Sequence, residues 1–228
     1  MLRTALTSVA IAVLGGLSAA WLTGGFEFFT AEGARRHAVE VQPVPAPPAV
    51  LLGQGVTGLG LPNLLASPGH VTIVSFIYTR CPGICRALGS SFQQLQEAVA
   101  ARALHRADGS TDYSADYSTT HSVRLLSISF DPGSDDLEQL GRYARLWRAD
   151  PQHWRIATVP DAAQLQRLLK AWQVVVVPDG LGGFEHNAAL LVVDEQARLV
   201  RIFDDTQGDA ALAFARSLLR AAQRSQLL

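Results

Sequence analysis

Two cysteines, Cys81 and Cys85, stand four positions apart and are the only thiols of the chain. The run from Val71 to Tyr78 is rich in β-branched and aromatic residues and predicts a buried strand. After Cys85, apolar residues recur with helical spacing, which predicts an amphipathic helix. The thiols therefore lie where a strand turns into a helix. The first turn of a helix favours a thiolate, because its unpaired N–H groups and its dipole stabilise negative charge.

The spacing of the pair is compatible with two kinds of chemistry. Residues i and i+4 of a regular helix have Cβ atoms about 5–6 Å apart, whereas a disulfide needs roughly 3.8 Å. Cys81 and Cys85 therefore either close a disulfide through an irregular turn or clasp one metal ion, and Gly83 supplies the backbone freedom for either. Two thiolates suit Cu(I), with zinc as the usual competitor. A structural disulfide in an exported protein is the alternative without metal chemistry.

A metal site built on two thiolates needs a third donor. The chain offers six histidines, whereas Met1 is its one methionine. We single out His186, which follows a Gly-rich loop and precedes the predicted strand from Ala188 to Val193. If that strand pairs with the one ending at Thr79, His186 reaches over the cysteine turn. A surface or capping histidine is the alternative.

The N-terminus carries a long apolar run. After Arg3 no charged residue occurs before Glu27, and an uncharged run of about 20 residues is long enough to cross a bilayer as a helix. We predict a membrane anchor in residues 1–30, with a short N-terminus inside and the bulk of the chain exported. A cleaved signal peptide ending near Ala20 is the alternative. Four aromatic residues would form a belt at the far interface: Trp21, Phe26, Phe28 and Phe29.

The rest of the chain divides into a linker and one domain. Residues 31–50 are predicted to form a Pro-rich linker, in which the stretch from Val39 to Val50 favours an extended polyproline-type spacer. Residues 51–228 have a size suited to one domain with a substantial core. The formal net charge of −1, with dispersed charges, gives no basic footprint for nucleic acid.

Strand and helix patterns alternate along residues 51–228. The polar segment from His105 to Ser122 predicts a mobile surface loop, and helices are predicted with Asp135 and Asp161 as N-caps and from about Asp209 onwards. Such an alternation, closed by a hairpin and a terminal helix, indicates an α/β sandwich with a central mixed β-sheet flanked by helices. The thiol pair at the first long strand-to-helix turn narrows this to a thioredoxin-like fold. The further strands are predicted at Val123 to Phe130, Trp154 to Val159, Val174 to Val177, Leu190 to Val193 and Leu199 to Phe203.

Three segments, in this order, carry a family resemblance: Phe76 to Cys85, Ser127 to Asp135, and Phe184 to Asp194. Together they resemble the Sco/SenC family, the membrane-anchored copper chaperones of cytochrome c oxidase assembly. The resemblance covers roughly residues 71–208. The chain departs from the family pattern at three positions. Gly83 stands where the family usually has an acidic residue, Arg86 where it has proline, and Asn187 where it has serine or threonine.

The resemblance implies a ligand set. Cys81, Cys85 and His186 would bind one copper ion, Cu(I) or Cu(II), and the two cysteines could also cycle through a disulfide. Asp131 falls on the family's aspartate-proline position and would support the copper ligands, with turn chemistry before Pro132 as the alternative.

The resemblance also implies a function and a place. It implies a non-enzymatic metallochaperone that delivers copper to the binuclear site of cytochrome c oxidase subunit II, with other periplasmic copper chaperones or thiol reductants as further partners. The protein would be anchored in the bacterial inner membrane with its domain in the periplasm, or in the equivalent mitochondrial membrane. One alternative is a thiol-disulfide oxidoreductase in which Cys81 and Cys85 reduce the cysteines of that site. A peroxiredoxin-like peroxidase is disfavoured, because a resolving thiol so close is unusual for that chemistry.

Overall fold

The computed structural model describes residues 2–25, 29–81, 84–107 and 122–226, in two compact units, Met1–Gln42 and Pro43–Leu228. The first unit holds α1 (Leu2–Leu22) and α2 (Ala31–Val41). The helices of the second unit are α3 (Leu61–Leu65), α4 (Ile84–Ala107), α5 (Leu137–Leu146), α6 (Ala162–Ala171) and α7 (Gly208–Gln226). Its strands are β1 (Val44–Pro45), β2 (Leu52–Gly53), β3 (His70–Ile77), β4 (Ser122–Ser129), β5 (Trp154–Thr158), β6 (Val176–Pro178), β7 (Phe184–His186), β8 (Ala189–Val193) and β9 (Arg198–Asp204).

The N-terminal apolar run, for which we predicted a membrane anchor, is helical, as α1. Within the described part of the chain, no helix combines the length and the apolar character needed to cross a membrane. Gly24 and Gly25 follow the helix with φ of 58° and 79°, a left-handed conformation that ends it. Of the predicted aromatic belt, Trp21 and Phe29 are exposed. Phe26 and Phe28 lie outside the described residues.

Residues 31–50, for which we predicted a Pro-rich linker, contain two regular elements. Helix α2 begins after Thr30, whose hydroxyl accepts the N–H of Gly33 at 3.0 Å, the usual role of an N-cap. Strand β1 pairs antiparallel with β9, where Pro45 lies opposite Arg198. Proline fits this position because an edge strand leaves one side of its backbone unpaired. The segment 43–50 therefore belongs to the second unit.

A seven-stranded mixed sheet organises the second unit, in the order β1-β9-β8-β3-β4-β5-β2. Strands β3, β4 and β5 are parallel, whereas β8 runs antiparallel to β3. β3 is buried along seven of its eight residues, as expected for a strand covered on both faces. This arrangement confirms the predicted α/β sandwich around a central mixed sheet.

Aromatic contacts show that helices cover both faces of the sheet. The hydroxyl of Ser75, in β3, forms a hydrogen bond with the hydroxyl of Ser127, which also accepts the indole N–H of Trp154. On the same face, Phe92 of α4 packs on Trp154 with ring centroids 5.4 Å apart. The next residue of β3, Phe76, packs on Trp172, which follows α6, at 6.0 Å. Since neighbouring strand residues point to opposite faces, α4 and α6 lie on opposite sides of the sheet.

Of three local predictions, two need correction and one is confirmed. The N-cap of α5 is Asp136, which accepts the N–H of Gln139 at 2.8 Å, and not Asp135. The loop predicted from His105 to Ser122 is shorter at both ends, because α4 extends to Ala107 and β4 begins at Ser122. Its residues 108–121 lie outside those described. The predicted N-cap Asp161 is confirmed, since it accepts the N–H of Gln164 at 2.7 Å.

Candidate functional site

The cysteine turn joins the end of β3 to the start of α4. Ile77 ends the strand, and the N–H of Cys81 donates to the carbonyl of Tyr78 at 3.3 Å, which closes a tight turn. Cys81 is buried, with 9% exposure. Cys85 lies in the first turn of α4, as the sequence predicted, although its side chain, together with Pro82 and Gly83, lies outside what the structure describes.

The loop that follows β4 forms hydrogen bonds with the residues at the beginning of the cysteine turn. The N–H of Phe130 donates to the carbonyl of Ile77 at 3.0 Å. The backbone N–H of Thr79 and its hydroxyl both donate to the carboxylate of Asp135, at 2.9 Å and 2.6 Å. The hydroxyl of Ser129 donates to the same carboxylate at 2.5 Å. The end of β3 is thus held by the loop after its neighbour in the sheet.

Asp131 lies beside the cysteine turn through a contact with Arg80. Nη2 of Arg80 donates to Oδ2 of Asp131 at 3.0 Å and to the hydroxyl of Ser134 at 2.7 Å. The Asp131 side chain is 13% exposed and that of Arg80 is 56% exposed. The Asp131 carbonyl also accepts the N–H groups of Ser134 and Asp135, which is the turn role we gave as the alternative. Asp131 therefore has both contacts, one of them to the residue before Cys81.

His186 lies at the same edge of the sheet as the cysteine turn. It ends β7, opposite Val176 of the β6–β7 hairpin, shortly before β8. Because β8 runs antiparallel to β3, with Leu191 opposite Val74, the start of β8 and the end of β3 share one edge. The imidazole packs edge-on against Phe130, with ring centroids 5.1 Å apart. The predicted pairing of the two strands is confirmed.

Three aromatic rings connect the hairpin to the cysteine turn. Tyr78 packs on Phe130 at 5.4 Å and on Phe184 at 5.3 Å, and the two phenylalanines lie 5.6 Å apart. The Tyr78 hydroxyl donates to the carbonyl of Phe184 at 3.3 Å and accepts its N–H at 3.2 Å. We refer to Tyr78, Phe130 and Phe184 as the aromatic support. All three residues lie in the segments that carry the family resemblance, but this role was not predicted from the sequence.

Asn187, the departure from the family pattern next to His186, braces the base of the hairpin. Its side-chain oxygen accepts the N–H of Val175 at 2.7 Å, and its Nδ2 donates to the carbonyl of Gln173 at 3.0 Å. A backbone bond of 3.3 Å joins its N–H to the Val175 carbonyl. The amide therefore fixes the residue after His186 with two side-chain hydrogen bonds.

The electrostatics of the site favour a neutral imidazole. Burial lowers the pKa of His186 below its ordinary value of 6.5, and the negative charge of Asp205 opposes this change. Neutral imidazole is the form that binds metal ions. Within the described residues, which exclude the Cys85 side chain, no group of three His, Cys, Asp or Glu side chains is placed to hold one metal ion.

An α/β sandwich with a cysteine pair at its first long strand-to-helix turn defines a thioredoxin-like protein. Residues 66–220 match the SCO1/SenC family model. The chain belongs to the SCO1/SenC family.

Individual relatives are distant in sequence but similar in fold. The SCO1 protein homolog of Bacillus subtilis (strain 168) is 21% identical over 147 residues, which are 64% of this chain and 67% of the relative. Copper-bound ScoI of Bradyrhizobium japonicum is 21% identical, with a TM-score of 0.57 over 76% of this chain and 99% of its own. BsSco, a member of the Sco family of cytochrome c oxidase assembly proteins with a disulfide switch, is 18% identical, with a TM-score of 0.61 over 78% and 95%.

Proposed function

We propose that this protein is a copper metallochaperone that binds one copper ion, Cu(I) or Cu(II), through Cys81, Cys85 and His186. The observation that carries the proposal is that the aromatic support joins the cysteine turn to the β6–β7 hairpin, which ends at His186. Tyr78 lies three residues before Cys81, and Phe184 lies two residues before His186. Two thiolates and a neutral imidazole suit copper. Family membership and the copper-bound ScoI of Bradyrhizobium japonicum favour copper over zinc.

Each ligand has a local reason to be in its binding form. Helix α4 begins at Ile84, and its unpaired N–H groups and dipole favour a thiolate at Cys85 in the first turn, while the positive charge of Arg80 favours a thiolate at the adjacent Cys81. Burial of His186 keeps the imidazole neutral. Asp131 supports the site by holding Arg80. Copper is cargo in this proposal. It leaves when thiolates of a recipient replace Cys81 and Cys85, so no turnover is required.

The proposed recipient is the binuclear copper site of cytochrome c oxidase subunit II, with other periplasmic copper chaperones or thiol reductants as further partners. The proposed location is the bacterial inner membrane with the domain in the periplasm, or the equivalent mitochondrial membrane. The apolar side chains exposed along α1 support membrane association, because exposed apolar surface of this extent marks contact with lipid or protein. They include Leu6, Val9, Ile11, Leu14 and Leu17, each between 61% and 65% exposed. Extraction of isolated membranes with alkaline carbonate tests the location.

A copper titration of the reduced full chain tests the proposed site. We expect one copper per chain and a thiolate-to-copper charge-transfer band, both lost in Cys81→Ser and Cys85→Ser, and a shifted band in His186→Ala. His153→Ala is a matched control, because His153 bonds Asp150 at 3.0 Å next to the start of β5. If His186→Ala bound Cu(II) with the spectrum and affinity of the control, His186 would not be a ligand.

Thiol-disulfide exchange is the second candidate, favoured by the position of Cys85 in the first turn of α4 and of Cys81 next to Arg80. The cysteine thiols would be oxidised to a disulfide while a disulfide of the oxidase site is reduced to two thiols. This function predicts that His186→Ala keeps the exchange and that both cysteine variants lose it. The measurement is reduction of a disulfide-bonded subunit II peptide, and loss of exchange in His186→Ala would count against this function.

A further inference from the structure

The carboxylate of Asp135 is completely buried, with 0% exposure. Its three hydrogen bonds come from the N–H of Thr79, the hydroxyl of Thr79 and the hydroxyl of Ser129. An ionised carboxylate accepts hydrogen bonds and donates none, so it matches three donors. The Ser129 hydroxyl donates to Asp135 and its oxygen accepts the N–H of Asp131 at 3.1 Å.

Helix capping does not explain why a carboxylate is buried at this position. The neighbouring Asp136 caps α5, and its carboxylate is exposed to solvent at that helix end. Burial of a charged group is costly unless hydrogen bonds compensate for the lost hydration. The side-chain bonds of Asp135 go to the end of β4 and, across 56 positions of sequence, to Thr79. They therefore serve the junction of β3 and β4 and not α5.

We propose that Asp135 is a positioning residue for Cys81. It fixes both donors of Thr79, which leaves Arg80 as the one residue between this fixed point and the thiol. Arg80 is itself held by Asp131 and Ser134 of the same loop. The direction of the Cys81 side chain is thus set from the loop that follows β4.

The same loop, which follows β4, also contacts His186. Phe130 begins the loop and packs on His186, and Asp135 lies at its other end and holds Thr79. The six residues 130–135 therefore form a template: they contact both His186 and the turn before Cys81, and so determine the position of one relative to the other. The effect of this template on copper rests on the proposed function, whereas its effect on the turn does not.

The test compares Asp135→Asn with Asp136→Asn in the full-length chain. Both substitutions replace an aspartate by its amide, but Asp136 bonds Gln139 and lies outside the contacts of Thr79. In the reduced, metal-free protein we expect amide exchange of Thr79, followed by NMR, to be about tenfold faster or more in Asp135→Asn, since a hydrogen bond to a charged acceptor is lost. With copper we expect a shifted charge-transfer band and weaker binding. Asp136→Asn should change neither.

Thr79→Val provides a second variant in case Asp135→Asn does not fold. It removes the 2.6 Å hydroxyl bond and leaves the backbone bond, so the same changes should follow with smaller size. Unchanged Thr79 exchange in a folded Asp135→Asn would overturn the proposal. Faster exchange with the copper spectrum and affinity of wild type would also overturn it, because Asp135 would then be merely structural.

A measurement that does not involve copper tests this proposal separately from the proposed function. If the wild-type chain bound no copper, the proposed function would fall, and the alkylation rate of Cys81 in the reduced chain would decide the positioning. Altered rates in Asp135→Asn and Thr79→Val, with an unaltered rate in Asp136→Asn, support the proposal. Equal rates in all three variants and wild type overturn it.

Discussion

The imidazole of His186 lies edge-on against the ring of Phe130, with centroids 5.1 Å apart and planes at 63°. Phe130 is 6% exposed, and its N–H donates to the carbonyl of Ile77 at 3.0 Å. Its backbone is therefore fixed by the strand that leads to Cys81. Phe130 therefore contacts His186 directly and the cysteine turn through Ile77.

Replacing Phe130 by leucine should weaken copper binding. Leucine fills most of the space, but it loses the ring contact with His186, and aromatic contacts of this kind are worth about 0.5–1.5 kcal/mol. We expect copper affinity to fall by roughly two- to twelvefold, measured by competition with a chromophoric chelator. Phe203→Leu is the matched control, because Phe203 packs on Phe214 at 5.8 Å in the contact of β9 with α7. Equal copper affinities in the two variants would contradict this prediction.

The stability of the metal-free protein should depend on pH through His186. Burial lowers the pKa of the folded imidazole below 6.5, against the smaller opposing effect of Asp205. The unfolded chain therefore binds the proton more readily, and the free energy of unfolding gained above pH 6.5 is lost as the pH falls through the folded pKa. Urea unfolding between pH 5 and 8, compared with His186→Gln, measures this difference. A difference that stayed constant across the range would refute the assignment.

Asp205 offers a direct test of the same electrostatics. Its negative charge raises the pKa of His186, so Asp205→Asn should lower that pKa further. The Cε1 proton of His186 reports the titration by NMR in the reduced, metal-free chain. Glu185→Gln is the control, because Glu185 is exposed and its substitution removes the same charge one residue away from His186. A larger decrease in the control than in Asp205→Asn would show that Asp205 is not the opposing charge.

Arg80 should affect thiol reactivity more than stability. Its side chain is 56% exposed, and an exposed ion pair such as that with Asp131 contributes only about 0–1 kcal/mol. Arg80→Gln should therefore leave the urea midpoint nearly unchanged. Removal of the positive charge next to Cys81 should slow alkylation of the reduced thiols at neutral pH, because less thiolate is present. Arg142→Gln, which breaks the exposed pair with Glu138 on α5, should change neither quantity.

The general plan of the molecule could be predicted from local patterns. The buried β3 run, the turn into α4 and the position of His186 before an antiparallel β8 follow from residue types and their spacing. The strand predicted at Val174 to Val177 overlaps β6, but β7 and its pairing with β6 were missed, because β7 is only three residues long, too short for a periodicity. Strand β1 was taken for a spacer because its proline is acceptable only at a sheet edge, and its edge position depends on the distant partner β9.

Asp135 shows why the site could be predicted only in part. Asp135 and Asp136 are adjacent, and either one fits the sequence pattern of an N-cap before α5. Their different roles are set by Thr79, which follows β3 by two residues, and by Ser129, the last residue of β4. A partner 56 residues away leaves no periodic signal, so the buried carboxylate became visible only in three dimensions.

Helix α4, which carries Cys85, lies close to the indole of Trp147 at Gly89. A Cβ at Gly89 would overlap the indole of Trp147, whereas a Cβ at Gly141 of α5 would meet Arg145 Nη1 at an ordinary 3.5 Å. Gly89→Ala should therefore cost about 1–3 kcal/mol through overpacking. Gly141→Ala should instead stabilise the protein by up to about 1 kcal/mol, since alanine is the better helix former. Urea unfolding measures both, and the two changes should have opposite signs.

The same two variants show whether a change in copper affinity comes from a displacement of α4 or from a loss of stability. If α4 shifts to relieve the contact with Trp147, Cys85 moves with it, and Gly89→Ala should bind copper more weakly even where the protein is fully folded. Gly141→Ala should bind copper as wild type does. Destabilisation by Gly89→Ala with unchanged copper affinity would mean that Trp147 moves and α4 does not. In that case the position of Cys85 is set by the turn before the helix and not by the packing of α4 on Trp147.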